Sequence, residues 1–386
     1  HMQPFSFDAT LQLTTYALSH PYAHLPLEHI PFISKVQLHH IPLFHQPDAS
    51  DFPILRSSSF IYRDISMDAN AFFAMSIAIA DKKGIVYISR DCVQLAVCLS
   101  ALYPLIPPAL KQDFILIFGL SCGKEQASYY YDETNQITIG LVSGTQRMHH
   151  IQYLKDMLQT LYNTICLKKH DLPVHASMLQ LDTQKQLKGL VFAGESGTGK
   201  SELLYECLRF CEQEALSAHA VYDDHGTWHY LDEEIVSTGG EIGALKNITH
   251  SRITTVFTQY SSSLFLLQDN QELYQILPLV PHEQTLQFHK VTHVFYLDNV
   301  SDEHGWRRLD TLDECLDLFR KGPCRRHGQL ISSYFINPLG CAQNKRVCDT
   351  LIRDFFTILY LQDIPVYVLY TKEAETNTLL YEEYAS

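Results

Sequence analysis

Apolar and polar positions along the chain alternate with two periods. Val93, Leu95, Ala96, Leu99 and Leu102 recur at helical spacing and predict a helix over 91–103. The same period runs through Ile151, Leu154, Met157, Leu158, Leu161 and Ile165, predicting a helix over 150–167, and it returns over 311–319 and 346–361. Short apolar runs predict strands at 60–65, 71–80, 84–89, 113–120, 171–181, 189–193, 217–222, 254–257, 263–267, 293–297, 334–336 and 365–370. Tyr129–Asp132 and Ile137–Val142 flank the polar Glu133-Thr134-Asn135 and read as a hairpin. Residues 20–45 are rich in Pro, His and Leu and read as irregular structure. The tail from Lys372 is acidic and reads as exposed.

One stretch changes this picture. Gly189 to Leu204, GLVFAGESGTGKSELL, reads as a buried strand, a glycine loop and a helix beginning near Lys200. Gly194, Gly199, Lys200 and Ser201 satisfy the P-loop pattern G-x-x-x-x-G-K-[ST]. Glycines let backbone N–H groups converge on phosphate oxygens, and the helix N-terminus adds partial positive charge. A lysine at that position reaches the β- and γ-phosphates, and the following hydroxyl ligates Mg²⁺. The phosphate-binding set is therefore Gly194, Glu195, Ser196, Gly197, Thr198, Gly199, Lys200, Ser201 and Glu202. Downstream, the strand SAHAVY ends in Asp223-Asp224, where a carboxylate beside a P-loop holds metal.

Composition narrows the partners. The chain has 386 residues, is 46% apolar and carries a net charge of −14, enough apolar residue for a sizeable core. No long basic run is present, which argues against nucleic-acid or membrane partners and leaves a nucleotide, a small molecule or a protein substrate. Ten cysteines without a C-x-x-C pair suit a reducing, cytoplasmic compartment, and Cys207 and Cys211, one helical turn apart, read as core. His1-Met2 reads as a tag remnant, no signal-peptide pattern opens the chain, and no uninterrupted apolar stretch is long enough to span a bilayer.

Four motifs then stand in order: VHAS (Val174–Ser177), GESGTGKS (Gly194–Ser201), DDHGTW (Asp223–Trp228) and TGGEIGALK (Thr238–Lys246). The order resembles ATP-dependent phosphoenolpyruvate carboxykinase, with its M-H-C-S, G-L-S-G-T-G-K-T, D-D-E-H-G-W and E-G-G-x-Y-A-K, over about residues 140–372. The loop is also similar to that of HPr kinase, which Glu195 and Glu202 match better. The resemblance implies a P-loop carboxykinase-like α/β fold with a mixed sheet over 141–386, preceded by an α/β N-terminal domain over 3–140. It implies ATP or another nucleoside triphosphate with Mg²⁺ or Mn²⁺, catalytic roles for His175, Lys200, Asp223 and Asp224, and a nucleotide contact for Lys246. It also sets His149-His150 where the family has two lysines. A neutral imidazole suits a first-row metal, so His150, His175, Ser201 and Asp224 form the expected metal set; the other reading has His149 and His150 capping the next helix.

Two departures bear on the substrate. The family's dicarboxylate-binding Arg falls near Asp269–Leu273, where no Arg stands, and Arg63 is a weak replacement for its earlier one. The segment carrying the family's adenine contacts is cut short. Arg307, Arg308, Arg325 and Arg326 are candidates for phosphate or carboxylate contacts, or else ordinary surface residues. Asp298 reads as a base or as a cap, and Ser333–Gln343 as a loop near a site or a packed turn. The expectation is an ATP- and metal-dependent phosphotransferase acting on an unidentified small molecule. The alternatives are a phosphoenolpyruvate carboxykinase and an HPr-kinase-like protein kinase or nucleotide sensor.

Overall fold

The computed structural model describes residues 72–89, 92–107, 109, 111–120, 126–132, 136–143, 150–195, 197–247, 264–267, 273–326, 328–336 and 345–372. The expected strands at 60–65 and 254–257, the irregular segment 20–45, Arg63, His149, Ser196, the stretch 269–272, the loop 337–343 and the acidic tail beyond Lys372 lie outside them.

In chain order the elements are β1 (Phe72–Ile79), β2 (Lys82–Ser89), α1 (Val93–Leu102), β3 (Phe114–Leu120), β4 (Gln126–Asp132), β5 (Ile137–Ser143) and α2 (Ile151–Lys168). Next come β6 (Leu172–Asp182), β7 (Leu187–Ala193), α3 (Lys200–Gln213), β8 (Ser217–Leu231), β9 (Glu234–Gly239), β10 (Gly243–Asn247), β11 (Leu264–Leu267) and β12 (Leu273–Pro278). The last are α4 (His282–Thr285), β13 (His289–Lys290), β14 (His293–Asp298), β15 (Trp306–Arg308), α5 (Leu312–Lys321), β16 (Pro323–Arg326), β17 (Gln329–Ser332), α6 (Lys345–Leu361) and β18 (Val366–Tyr370). Among the described residues the fold is mixed α/β, with four sheets and no barrel, and no helix is long and apolar enough to cross a membrane.

The chain splits into two compact units, both discontinuous: residues 1–165 with 241–278, and residues 166–240 with 279–386. Sequence alone places one boundary after residue 140. The first unit also takes 241–278 because Ile242 N–H donates to Leu102 O at 2.8 Å, and Tyr103 OH donates to Glu241 Oε1 at 3.4 Å. Its five-stranded sheet has the order β1-β2-β3-β5-β4, parallel across β2-β3-β5 and antiparallel at both edges; β10-β12-β11 form a separate antiparallel sheet.

The second unit is built on an eight-stranded sheet of order β13-β9-β8-β6-β7-β14-β18-β15. Strands β7, β14 and β18 are parallel, and the other pairings are antiparallel. Side chains alternate between its faces. Val191, Ala193, Val294, Tyr296, Val366 and Val368 pack toward α5 and α6, where Trp228, Phe319, Phe335 and Phe356 also meet. Leu190, Phe192, Phe295, Leu297 and Leu369 pack on the other face with Leu203, Leu204 and Cys207 of α3. Each such large apolar side chain contributes about 1.5–3 kcal/mol on full burial, so the sheet is held from both sides and the loop after β7 starts from a rigid base.

Candidate functional site

The loop between β7 and α3 is shaped by its glycines. A Cβ on Gly194 would stand 2.5 Å from Thr198 Oγ1, and Gly199 caps α3 at φ 96°, a left-handed backbone that favours glycine. Thr198 closes the loop by donating from Oγ1 to Glu195 O at 2.7 Å, and Thr371 Oγ1 donates to Thr198 O at 3.2 Å. Helix α3 therefore starts with its first N–H groups aimed at the loop, where a helix has no acceptor of its own.

Lys200 is the first residue of that helix and is buried. Its Nζ lies 3.3 Å from His175 Nε2 and 3.7 Å from Asp224 Oδ1. His175 Nε2 is itself 2.8 Å from Asp224 Oδ1. One ring nitrogen cannot donate to Asp224 and accept from Lys200 at once. With Asp224 ionised, the Nε2–H donates to the carboxylate, and Lys200 pairs with Asp224 across the same corner. The second oxygen of Asp224 is 3.1 Å from His225 Nε2, and the rings of His175 and His225 stack with centroids 6.0 Å apart. Burial pushes the Asp224 carboxyl up. His225, His175 and Lys200 outweigh that effect and hold it well below the usual carboxylate range.

Asp223 faces Ser201. Its Oδ1 accepts from Ser201 Oγ at 3.0 Å and from Ser177 Oγ at 2.7 Å, and the residue is buried. Two consecutive aspartates of a regular strand point to opposite faces. Here Asp224 takes φ 98°, and both carboxylates reach the side that carries His175 and Ser177. This corrects two expectations. Ser201 meets Asp223 rather than Asp224, which turns to the two histidines. The aspartates also do not end a strand: β8 runs on to Leu231 because Thr227–Leu231 pair with β9 across the Asp232-Glu233 turn, both of whose residues have positive φ.

The remaining expected residues are placed as follows. Glu195 Oε1 accepts the Tyr334 N–H at 3.1 Å, and its Oε2 is 3.7 Å from His175 Nδ1, beyond hydrogen-bond reach. Glu202 lies in the first turn of α3. His150 and Lys246 belong to the first unit; the His150 carbonyl accepts from Tyr153 and Leu154 N–H at the start of α2. Asp298 Oδ1 accepts from Val300 and Ser301 N–H, so it caps a turn. Arg307 lies 3.4 Å from Glu314, and Arg308 pairs with Asp363 at 2.5 Å. Sequence reasoning missed His225, Tyr334 and Asn299. His225 stands in the same DDHG motif, but strand alternation draws attention to one aspartate rather than to the histidine that supports the other.

The donors suit two kinds of cation differently. Among the described residues no three His, Cys, Asp or Glu side chains converge as a metal site. Mg²⁺ entering with a polyphosphate needs only one or two protein oxygens, the rest being phosphate and water. Ser201 Oγ and Asp223 Oδ1, 3.0 Å apart beside the loop, fit that need.

The eight described cysteines, Cys207 and Cys211 among them, are all buried. No protein-family model matches the chain, and no curated protein matches it.

Proposed function

We propose that the second unit is a nucleoside-triphosphate- and Mg²⁺- or Mn²⁺-dependent phosphotransferase of carboxykinase-like design, acting in a reducing compartment on a small acceptor not yet identified. The observation that carries the reading is the Ser201–Asp223 contact of 3.0 Å at the start of the loop helix. A P-loop hydroxyl and a strand aspartate are the protein's share of a nucleotide-bound Mg²⁺ site. When bound, the ion neutralises charge on the transferring phosphoryl group.

The chain's own residues supply the rest. The loop N–H groups and the α3 N-terminus hold phosphate oxygens. Lys200 leaves its Asp224 contact for the β- and γ-phosphates, a short swing for a flexible side chain. That departure frees the His175–Asp224 pair, 2.8 Å apart, to face an incoming acceptor. With the His175 Nε2–H held on Asp224, the group left facing the vacated corner is the Asp224 carboxylate, which is oriented to take the proton of a hydroxyl acceptor. This pairing favours a hydroxyl acceptor over oxaloacetate, whose enolate has no hydroxyl proton to remove.

Turnover of ATP and GTP with Mg²⁺ or Mn²⁺ tests the reading, with mass spectrometry of phosphorylated products from a metabolite extract. Lys200→Ala should lower turnover by about a hundredfold or more, as removal of one transition-state charge donor does, while leaving the fold intact. Turnover equal to the unaltered chain in Lys200→Ala would remove the proposal.

A further inference from the structure

The hairpin β16–β17 is fastened beside the phosphate loop at several points. Tyr296 OH donates to Pro323 O at 3.0 Å. Asn299 makes a two-way bridge to Arg325: its Nδ2 donates to Arg325 O at 2.9 Å, and its Oδ1 accepts Arg325 N–H at 2.9 Å. The same Nδ2 reaches Gly197 O at 3.4 Å, and an ideal Cβ on Gly197 would stand 4.0 Å from Arg325 O. The β16 backbone therefore runs within one side chain of the glycine loop.

Strand alternation then separates two neighbouring arginines. Cys324 is fully buried, so its side of β16 is the one turned inward. Burial pushes its thiol up, the Glu195 carboxylate adds to this, and Lys200, a hydrogen bond from the Glu195 backbone and Arg326 oppose it. That inward side lies on a strand whose backbone is fastened beside Gly197, and Glu195 and Lys200 are among the charges that act on it. Arg326, two residues on, shares that face, one strand repeat of about 6.6–6.8 Å further out. Arg325 points the other way, where its charge acts on the exposed Asp302. Both arginines are exposed, and both side chains are long enough to swing.

The geometry points to Arg326 as a second cationic clamp, contacting the terminal phosphate of a nucleoside triphosphate held in the loop. The assignment rests on the phosphotransferase reading and names a residue on a separate element that distinguishes triphosphate from diphosphate. A guanidinium suits this task because its planar fork bonds two phosphate oxygens at once. It also sits on a hairpin that the loop-facing Asn299 keeps in register with Gly197. Lys200 meets the phosphates from the helix side and Arg326 would meet the terminal one from the hairpin side, so diphosphate would lose only the second contact.

The test measures calorimetric binding to the full chain of Mg²⁺–ADP and Mg²⁺–GDP, and of the matching non-hydrolysable triphosphates. It is repeated on Arg326→Ala, Arg326→Lys and Arg325→Ala, each checked by thermal melting. Arg326→Ala should lose about tenfold or more in triphosphate affinity, the usual scale of a charged hydrogen bond, with diphosphate affinity kept. Arg326→Lys should recover part of the loss, and Arg325→Ala should match the unaltered chain. A folded Arg326→Ala with an unchanged triphosphate-to-diphosphate ratio overturns the assignment, as does an equal loss in Arg325→Ala. Failure of the unaltered chain to bind any of these nucleotides overturns the phosphotransferase reading itself, and so is distinct from failure of the clamp.

Discussion

Each unit buries a lysine against a carboxylate, and the two pairs differ in what surrounds them. In the first unit Lys155 Nζ lies 3.2 Å from Glu241 Oε1, and both side chains are 3% exposed. Tyr103 OH adds a third partner, and burial, with Glu241 beside it, pushes that phenol well up. In the second unit Lys200 is as buried, but its partner Asp224 is 32% exposed, and two imidazoles compete for the same carboxylate. The first arrangement is closed and has no charge to offer a ligand. The second has a cation that can leave without stranding its anion, because His175 and His225 stay behind. A buried charge that can change partners marks a site; one that cannot marks a structural pin.

The largest effect should come from breaking the closed pair. Glu241→Ala leaves Lys155 buried without its carboxylate and should cost about 3–5 kcal/mol, the usual toll of an uncompensated buried charge. Urea unfolding would read it, and a cost below that of an ordinary surface substitution would place Glu241 in water rather than in a pin. Asp224→Asn, by contrast, should lower turnover far more than stability.

Acid should separate the units next. Burial, with His219 beside it, holds His289 of the second unit down to about 4, and burial with Lys188 nearby holds His293 down to about 4. Both are neutral in the folded protein where an unfolded histidine, titrating near 6.5, takes up protons. Their contribution is therefore complete above about pH 6.5 and is lost as pH falls toward about 4. Denaturant midpoints at pH 7 and pH 5 would show the fall, and His289→Gln should flatten it. Equal midpoints for the unaltered chain at the two pH values would refute this.

The smallest effect is expected at the surface. Arg308 and Asp363 form an exposed pair, with side chains 48% and 87% exposed. Arg308→Ala should change stability by under about 1 kcal/mol, and less in salt. A larger loss would mean that exposure does not order these ion pairs.

The parts of the site legible in sequence are those fixed by local chemistry. The glycine pattern and the apolar run before it place β7, the loop and the start of α3 to within a few residues of where they lie. The aspartates were legible as chemistry but not as geometry, because aspartate's tolerance of a positive φ does not say which of two consecutive aspartates adopts it. Thr227–Leu231 lie beyond the strand expected over 217–222 because their strand character depends on pairing with β9, a contact between separate segments. The hairpin β16–β17, only four residues on each side, is too short to show a period. The Lys155–Glu241 pin joins residues 86 positions apart in the numbering and could not be read from either neighbourhood.

The interleaving of the two units also has a consequence for biosynthesis. The first unit is not complete until residue 278 has left the ribosome, because Glu241 and Ile242 make contacts with residues near 102. By then β6–β9 and α3 of the second unit have emerged, while β13, β14, β15 and β18, which complete their sheet, have not. Neither unit can finish folding as an independent vectorial step. The half-built eight-stranded sheet must wait for β18, which ends at Tyr370, a window in which its exposed strand edges invite mispairing.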